Sequence, residues 1–323
     1  MGLFGKMKSG ANVQVPWRAR VRAWWEGEEV QLPQTAVHPA SGGAKAEAAP
    51  AGVTIRPLMP WETEAIRIQE QVWGEGYYKP GGEEHVLGLA KPFALNPSLT
   101  VMDFGAGLGG GTRALANEFG VWVSGLEPTA DLARAGKELS IKAGLEKKAE
   151  IVRYSPEGFE PKQGSIDCIL SAESLYLVED KQKLLKTFEW CLKPRGQISI
   201  TDFVRNDDIA MEDQRLQGLG LAPTDQTFFA SDAEYIRWFR ELNFDLRVNE
   251  DITERYRRMV MEGWLEFTQA GGEKAAHAKA LPEEVVREVQ LWSRRVAAFD
   301  AGDLRVMRYY AIKLGGTKLM SNW

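Results

Sequence analysis

Apolar positions along the chain fall into short runs separated by stretches of helical spacing. Val101, Met102 and Phe104 form a run that encloses one acid, Asp103, and ends in glycines at 105, 107, 109, 110 and 111. A run of that length bounded by glycines predicts a buried strand followed by a sharp turn. Thr112 to Phe119 then carries helical spacing, and Val121, Val123 and Leu126 make a second apolar run that ends in Glu127. The alternation continues with a helix over Asp131 to Ala143 and strands over Ala149 to Arg153 and Ser165 to Ser171. An amphipathic helix over Lys181 to Cys191 comes next, stopped by Lys193-Pro194-Arg195-Gly196, and Gln197 to Phe203 is a further strand. Strands alternating with helices in this way predict an α/β fold: a doubly wound, mostly parallel sheet covered on both faces. Phe244 to Val248 and Val306 to Leu314 predict two late strands that pair at an edge, bringing the count to seven. Long helical insertions precede each late strand, and their Trp264, Phe267, Trp292 and Phe299 are expected in core or roof packing.

Upstream of the glycine turn, Trp61, Ala65, Ile66, Ile68 and Val72 give a helical pattern over Pro60 to Val72. It leads into GEGYYKPGG, Gly74 to Gly82, and another helix to about Ala94, which together predict a lid over the turn. The first 25 residues differ from the rest, because Lys6, Lys8, Arg18, Arg20 and Arg22 precede the first acid, Glu26. After Pro16, Trp17, Val21 and Trp24 fall at i, i+4 and i+7, which predicts a short amphipathic helix. Such a helix either lies on an anionic membrane surface or docks on the rest of the protein. The predicted organisation is a basic, tryptophan-rich extension over 1–37, a flexible linker over 38–52 and lid helices over 53–100. A core occupies 101–323, with insertions after its fifth strand and before its last.

Composition narrows the function classes. A chain of 323 residues with 44% hydrophobic content can bury a sizeable core, and a net charge of −5 provides no global field for nucleic acid. Cys168 and Cys191 sit in apolar surroundings and read as reduced core thiols of a cytoplasmic protein. The three histidines, His38, His85 and His277, are scattered and suggest no metal centre. No apolar run is long enough to span a bilayer.

The candidate chemistry lies at the turn. A glycine-rich turn after a strand, with an acid about twenty residues on to hold a ribose diol, marks a nucleoside site. Gly105, Gly107 and Gly110 also satisfy the GxGxxG spacing of dinucleotide binders. Asp103 discriminates, because a carboxylate just before the turn repels a pyrophosphate and suits an ammonium group. That favours S-adenosylmethionine over a nicotinamide dinucleotide.

Taken in order, VMDFGAGLGGG, Glu127, the segment AESLYLVEDKQKLLKTFEWCLKPRG and the strand ITDF resemble the class I S-adenosylmethionine-dependent methyltransferases. Within that superfamily GEGYYKPGG makes the chain most similar to the phosphoethanolamine methyltransferases, from about Trp61 to Leu314. The resemblance implies a Rossmann-like methyltransferase fold, S-adenosylmethionine as cofactor and S-adenosylhomocysteine as product. It implies that Asp103, Gly105 and Gly107 cradle the methionine part, that Glu127 with Pro128 beside it holds the ribose, and that Tyr77 and Tyr78 approach from the lid. Ser171 and Glu173 would complete the pocket. Ser155 stands where the family's adenine-binding acid is missing. Trp61, Gln69, Tyr176 and Phe203 are expected on the acceptor side.

Glu173 has two expected jobs there: to orient the cofactor's ammonium, or to hold the acceptor's amine and take its proton, with burial raising its pKa. The bland reading is a water-exposed carboxylate at a helix start. The chain departs from the family where its tyrosine and histidine pair would stand, since those places hold Trp61 and Leu177. The family's phosphate-gripping cluster meets Gln217-Gly218-Leu219-Gly220-Leu221-Ala222-Pro223, so phosphobases are expected to be poor acceptors. The expectation is a methyltransferase for a small-molecule acceptor, an amine in an apolar or aromatic-lined pocket. The alternatives are a membrane-associated lipid-headgroup methyltransferase and a cofactor-binding protein without turnover.

Overall fold

The computed structural model describes residues 59–155, 158–220, 226–270 and 283–315. The basic extension, the linker, His38, His277 and residues 221–225 lie outside them. Contacts gather Pro57–Phe267 and Pro282–Trp323 into one compact unit. That unit holds every strand of the described residues.

Seven strands form a single sheet: β1 Thr100–Phe104, β2 Trp122–Glu127, β3 Ala149–Arg153, β4 Ile166–Ala172, β5 Leu192–Arg205, β6 Phe244–Asp251 and β7 Leu304–Lys313. They stand in the order β3-β2-β1-β4-β5-β7-β6. β7 alone runs antiparallel to its neighbours, pairing β5 on one side and β6 on the other. The two late strands do pair as their pattern predicts, and β7 lies between β6 and the rest of the sheet. β5 also starts earlier than its pattern suggests, because Lys193–Gly196 bulge between the pairs Ile166 with Leu192 and Cys168 with Gln197.

Successive residues of β1 point to opposite faces of the sheet, and the core divides accordingly. Met102 and Phe104 join Leu185, Phe188, Ile200 and Tyr309 on one face. Val101 joins Leu115, Val123, Cys168 and Leu170 on the other. Cys168 and Cys191 are buried free thiols, as expected.

The α-helices of the described residues are α1 Glu64–Trp73, α2 Gly82–Ala90, α3 Gly110–Phe119, α4 Ala130–Lys142, α5 Lys181–Cys191, α6 Asp232–Glu241, α7 Thr253–Ala270 and α8 Glu283–Asp300. α1 starts at Thr63, whose hydroxyl accepts from Ile66 N, so Pro60 and Trp61 precede the helix. Its last residue, Trp73, wedges edge-on between Trp264 of α7 and Trp292 of α8 at centroid distances of 6.1 and 5.2 Å. This aromatic roof covers the sheet edge where strand order reverses, between β1 and β4, which is where open α/β sheets place their ligands. Among the described residues no helix is long and apolar enough to cross a membrane.

Candidate active site

The turn after β1 is closed by Glu127 at the end of β2. Its carboxylate accepts from Gly107 N at 2.9 Å and from Thr129 N at 2.8 Å, so one acid braces the turn and the start of α4. Gly105 and Gly107 have φ of 78° and 57°, the left-handed region that disfavours side chains. A Cβ at Gly107 would collide with the ring of Tyr78, and one at Gly105 with the Ser174 hydroxyl. Close approach is therefore what these glycines provide. The approaching groups here are the lid tyrosine and the segment after β4. Tyr77 lies against Gly110, whose amide donates to the Gly76 carbonyl at 3.0 Å. Asp103 is buried and accepts from the Thr112 hydroxyl at 2.7 Å. Burial lifts its pKa to about 6 against that bond and the Lys79 charge.

Glu173 follows β4 and is 2% exposed, which removes the reading of a solvated helix-start carboxylate. Its φ is 42°, an unusual conformation for a side chain of this kind. Two bonds to β5 hold it there: its amide donates to the Thr201 carbonyl at 2.7 Å, and Oε1 accepts from the Thr201 hydroxyl at 2.5 Å. Lys79 of the lid loop donates to the Ala172 carbonyl and, at 3.0 Å, to the Ser174 hydroxyl. His85 of α2 brings Nε2 to 3.5 Å from Glu173 Oε1. Burial pushes the Glu173 carboxyl up, but His85, Lys79 and Thr201 together outweigh it, and its pKa lies below the ordinary value. The expectation of a base tuned toward neutrality is thus corrected: opposite charge and hydrogen bonds win over desolvation.

A narrow cleft lies beside Glu173. Tyr78, Tyr176, Phe203, Tyr256 and Trp292 give it aromatic walls, and Gln69 reaches it from α1 and donates to Glu288 of α8 at 3.0 Å. Burial raises the Glu288 carboxyl against that bond. Arg295 of α8 also lines the cleft while only 2% exposed. Its guanidinium carbon lies 4.7 Å from the Phe203 centroid and 4.8 Å from that of Trp292. Nε and Nη2 donate to the Leu219 carbonyl at 3.0 and 2.8 Å, and Nη2 donates to the Tyr176 hydroxyl at 3.0 Å. These bonds leave Nη1 unused. Asp202 of β5 fixes Tyr176 from below by accepting its amide at 3.0 Å.

The profile of a methyltransferase domain matches residues 83–248. The chain belongs to that family. Phosphoethanolamine N-methyltransferase 1 of Arabidopsis thaliana is 28% identical over 146 residues, covering 45% of this chain and 29% of that protein. The chain spans between 29% and 49% of the length of the first curated relatives it matches. Phosphoethanolamine N-methyltransferase 2 of Haemonchus contortus, solved with S-adenosyl-L-methionine, superposes with a TM-score of 0.66 at 21% identity, over 76% of this chain and 56% of that one. A putative sarcosine dimethylglycine methyltransferase of Galdieria sulphuraria gives 0.63 at 21% identity, over 78% and 99%. Both likenesses are of fold, and the Rossmann-like methyltransferase sheet is the one expected.

Of the residues singled out in the sequence, Asp103, Gly105, Gly107, Glu127, Tyr77 and Tyr78 gather at the turn. Glu173, Gln69, Tyr176 and Phe203 gather at the cleft. Four stand elsewhere or are otherwise engaged. Trp61 packs beside Tyr78 against Leu108 and Leu132 and does not line the cleft. Ser171 is buried and donates to the Phe104 carbonyl at 3.0 Å, tying β4 to β1. Ser155 is exposed and accepts from Gly158 N at 3.2 Å, a local turn bond, and Pro128 is exposed. Lys79, His85, Tyr256, Glu288 and Arg295 escaped the sequence reading. A signal existed for two of them: Arg295 interrupts the apolar stripe of Leu291, Trp292 and Phe299, and His85 shares a helical face with Leu89.

Proposed function

We propose that the chain is an S-adenosylmethionine-dependent methyltransferase acting on a small amine that also carries an anionic group. The observation that carries this reading is the charge around the glycine turn. Asp103, Glu127 and Glu173 are buried at the ends of β1, β2 and β4, with Lys79 among them. Unit charges 4 Å apart interact by about 4 kcal/mol near a protein surface, so a pyrophosphate beside these acids is disfavoured by orders of magnitude while a sulfonium amine is welcome. The donor set suits that cofactor. Each Glu127 oxygen accepts one amide and has capacity for a ribose hydroxyl. The cofactor supplies an electrophilic methyl, and the residues of this chain orient the acceptor and exclude water.

On the acceptor side Glu173 stays ionised and holds the amine, the aromatic walls favour its cationic form, and Arg295 Nη1 receives the anion. The two cations Lys79 and Arg295 revise the picture drawn from Gln217 to Pro223. That segment lacks an arginine of its own, yet the Leu219 carbonyl holds one from α8. We assign the extension to residues 1–37, the linker to 38–52, the lid to 53–100 and the core to 101–323. The basic residues and tryptophans within 1–25 support peripheral contact with an anionic membrane, tested by co-sedimentation of full-length and truncated chains with anionic vesicles.

The test is transfer of labelled methyl to sarcosine, phosphoethanolamine and ethanolamine in parallel. Turnover of either anionic amine should exceed that of ethanolamine at least tenfold, the loss expected for one charge-assisted bond. Equal turnover of all three would contradict the role of Arg295, and turnover of none the assignment as an enzyme for this substrate class.

A further inference from the structure

Among the described residues, three buried polar atoms with no hydrogen-bond partner belong to side chains that meet at one place: His85 Nε2, Glu173 Oε2 and Tyr256 Oη. They come from α2, the end of β4 and α7, elements far apart in sequence. His85 Nε2 is 3.5 Å from Glu173 Oε1, and the His85 and Tyr256 rings meet edge-on at 6.1 Å. Glu173 and Tyr256 line the acceptor cleft, and His85 stands behind Glu173. His85 and Tyr256 both act electrostatically on the Glu173 carboxylate, so buried polar side chains from separate elements converge on the group that faces the acceptor cleft.

We infer that His85 is a positioning residue that takes up, through Glu173, the proton released by the acceptor amine, with Tyr256 completing the enclosure. The inference rests on the proposed acceptor, an amine held by Glu173. An amine reaches the cleft at neutral pH as an ammonium ion, whose nitrogen has no free electron pair. Glu173 binds that ion but is held ionised and does not retain the proton. A neutral imidazole has a nitrogen lone pair free to hold one. In the step, one N–H bond of the ammonium breaks, its electron pair stays on the nitrogen, and the proton passes by way of Glu173 to His85 Nε2, giving an imidazolium. The freed pair is then available to the methyl, and His85 returns its proton to water as product leaves.

The groups that face this relay come from every neighbouring element. Glu173 feels Lys79 of the lid loop and Asp202 of β5, and Tyr256 feels Arg295 of α8 and Tyr176. Met259 of α7 packs near the His85 side chain, beside Gly81. Glu173 is held here in a left-handed backbone conformation by its two bonds to Thr201.

The experiment has two arms on the full-length chain. In the first, ¹H–¹⁵N spectra follow the three histidine imidazoles through a pH titration, with His85→Gln identifying the His85 signals. Glu173→Gln should displace the His85 imidazole signals and change their pH dependence, and leave those of His38 and His277 unmoved. In the second, methylation of sarcosine and phosphoethanolamine is followed from pH 6 to 9.5 for wild type, His85→Gln and His85→Asn. The variants should lose about tenfold or more at pH 7 and recover toward wild type at high pH, where the amine sheds its own proton. Loss of equal size at every pH would assign His85 to packing and overturn the inference. So would a His85 titration indifferent to Glu173→Gln. If wild type methylates neither amine, the acceptor reading fails separately and the spectra still decide the coupling. Calorimetric binding of S-adenosylhomocysteine by each variant verifies that the fold is intact.

Discussion

Asp103 and Glu173 are both buried acids near the cofactor turn, yet their titration moves in opposite directions. Asp103 has one hydroxyl donor and a pKa of about 6, whereas Glu173 has His85, Lys79 and Thr201 and moves down. Linkage sets the sign for stability. Asp103 binds its proton more tightly folded than unfolded, so stability falls as pH rises from about 4 to 6. Asp202, also lifted to about 6, adds to this. Glu173 contributes the reverse, and its share is lost only as pH falls below the ordinary glutamate range. The thermal midpoint should accordingly be higher at pH 5 than at pH 7.5, and Asp103→Asn should flatten that difference. A midpoint that rises steadily between these pH values would show that burial does not control the two aspartates. Gly107→Val places a side chain against Tyr78 at a left-handed position, which costs about 1–2 kcal/mol in backbone alone, or roughly 2–4 °C in Tm. Calorimetry should find cofactor binding lost in that variant while circular dichroism finds the fold retained.

The elements differ in how plainly the sequence announces them. β1 to β4 and α5 agree with their apolar runs to within a residue or two, because the pattern of a strand is local: near-continuous where both faces are covered, as in β4, and alternating where one is exposed, as in β2 and β3. The bulge at Lys193–Gly196 and the insertion of β7 between β5 and β6 depend on partners distant in the chain, so no local pattern reveals them. The same holds at the site. The turn and Glu127 lie within one βαβ unit and were legible together, whereas His85, Tyr256 and Arg295 meet Glu173 only because α2, α7 and α8 fold over the sheet. Trp61 misled for the same reason: its place in the chain is near the lid, but it precedes α1 and packs on the α4 side. The roof is the element with the clearest energetic signature. Trp292 is 3% exposed, touches Trp73 and Arg295, and walls the cleft. Trp292→Ala should cost about 3–5 kcal/mol in chemical denaturation and weaken acceptor use more than cofactor binding. A loss under about 1 kcal/mol would mean the roof does not pack as described.

For the molecule as a whole, the sheet, the family and the acidic turn agree with one another, and the site falls where strand order reverses. The chain spans 29% and 40% of the length of two curated relatives it matches. Buried acids at the turn select a nucleoside cofactor that carries an ammonium group. Titration calorimetry of the full-length chain with S-adenosylmethionine, S-adenosylhomocysteine and NAD, under identical conditions, measures that selection directly. Saturable binding of the first two and no heat of binding for NAD are expected; binding of NAD at comparable affinity, or of none of the three, would rule out selection by the acids.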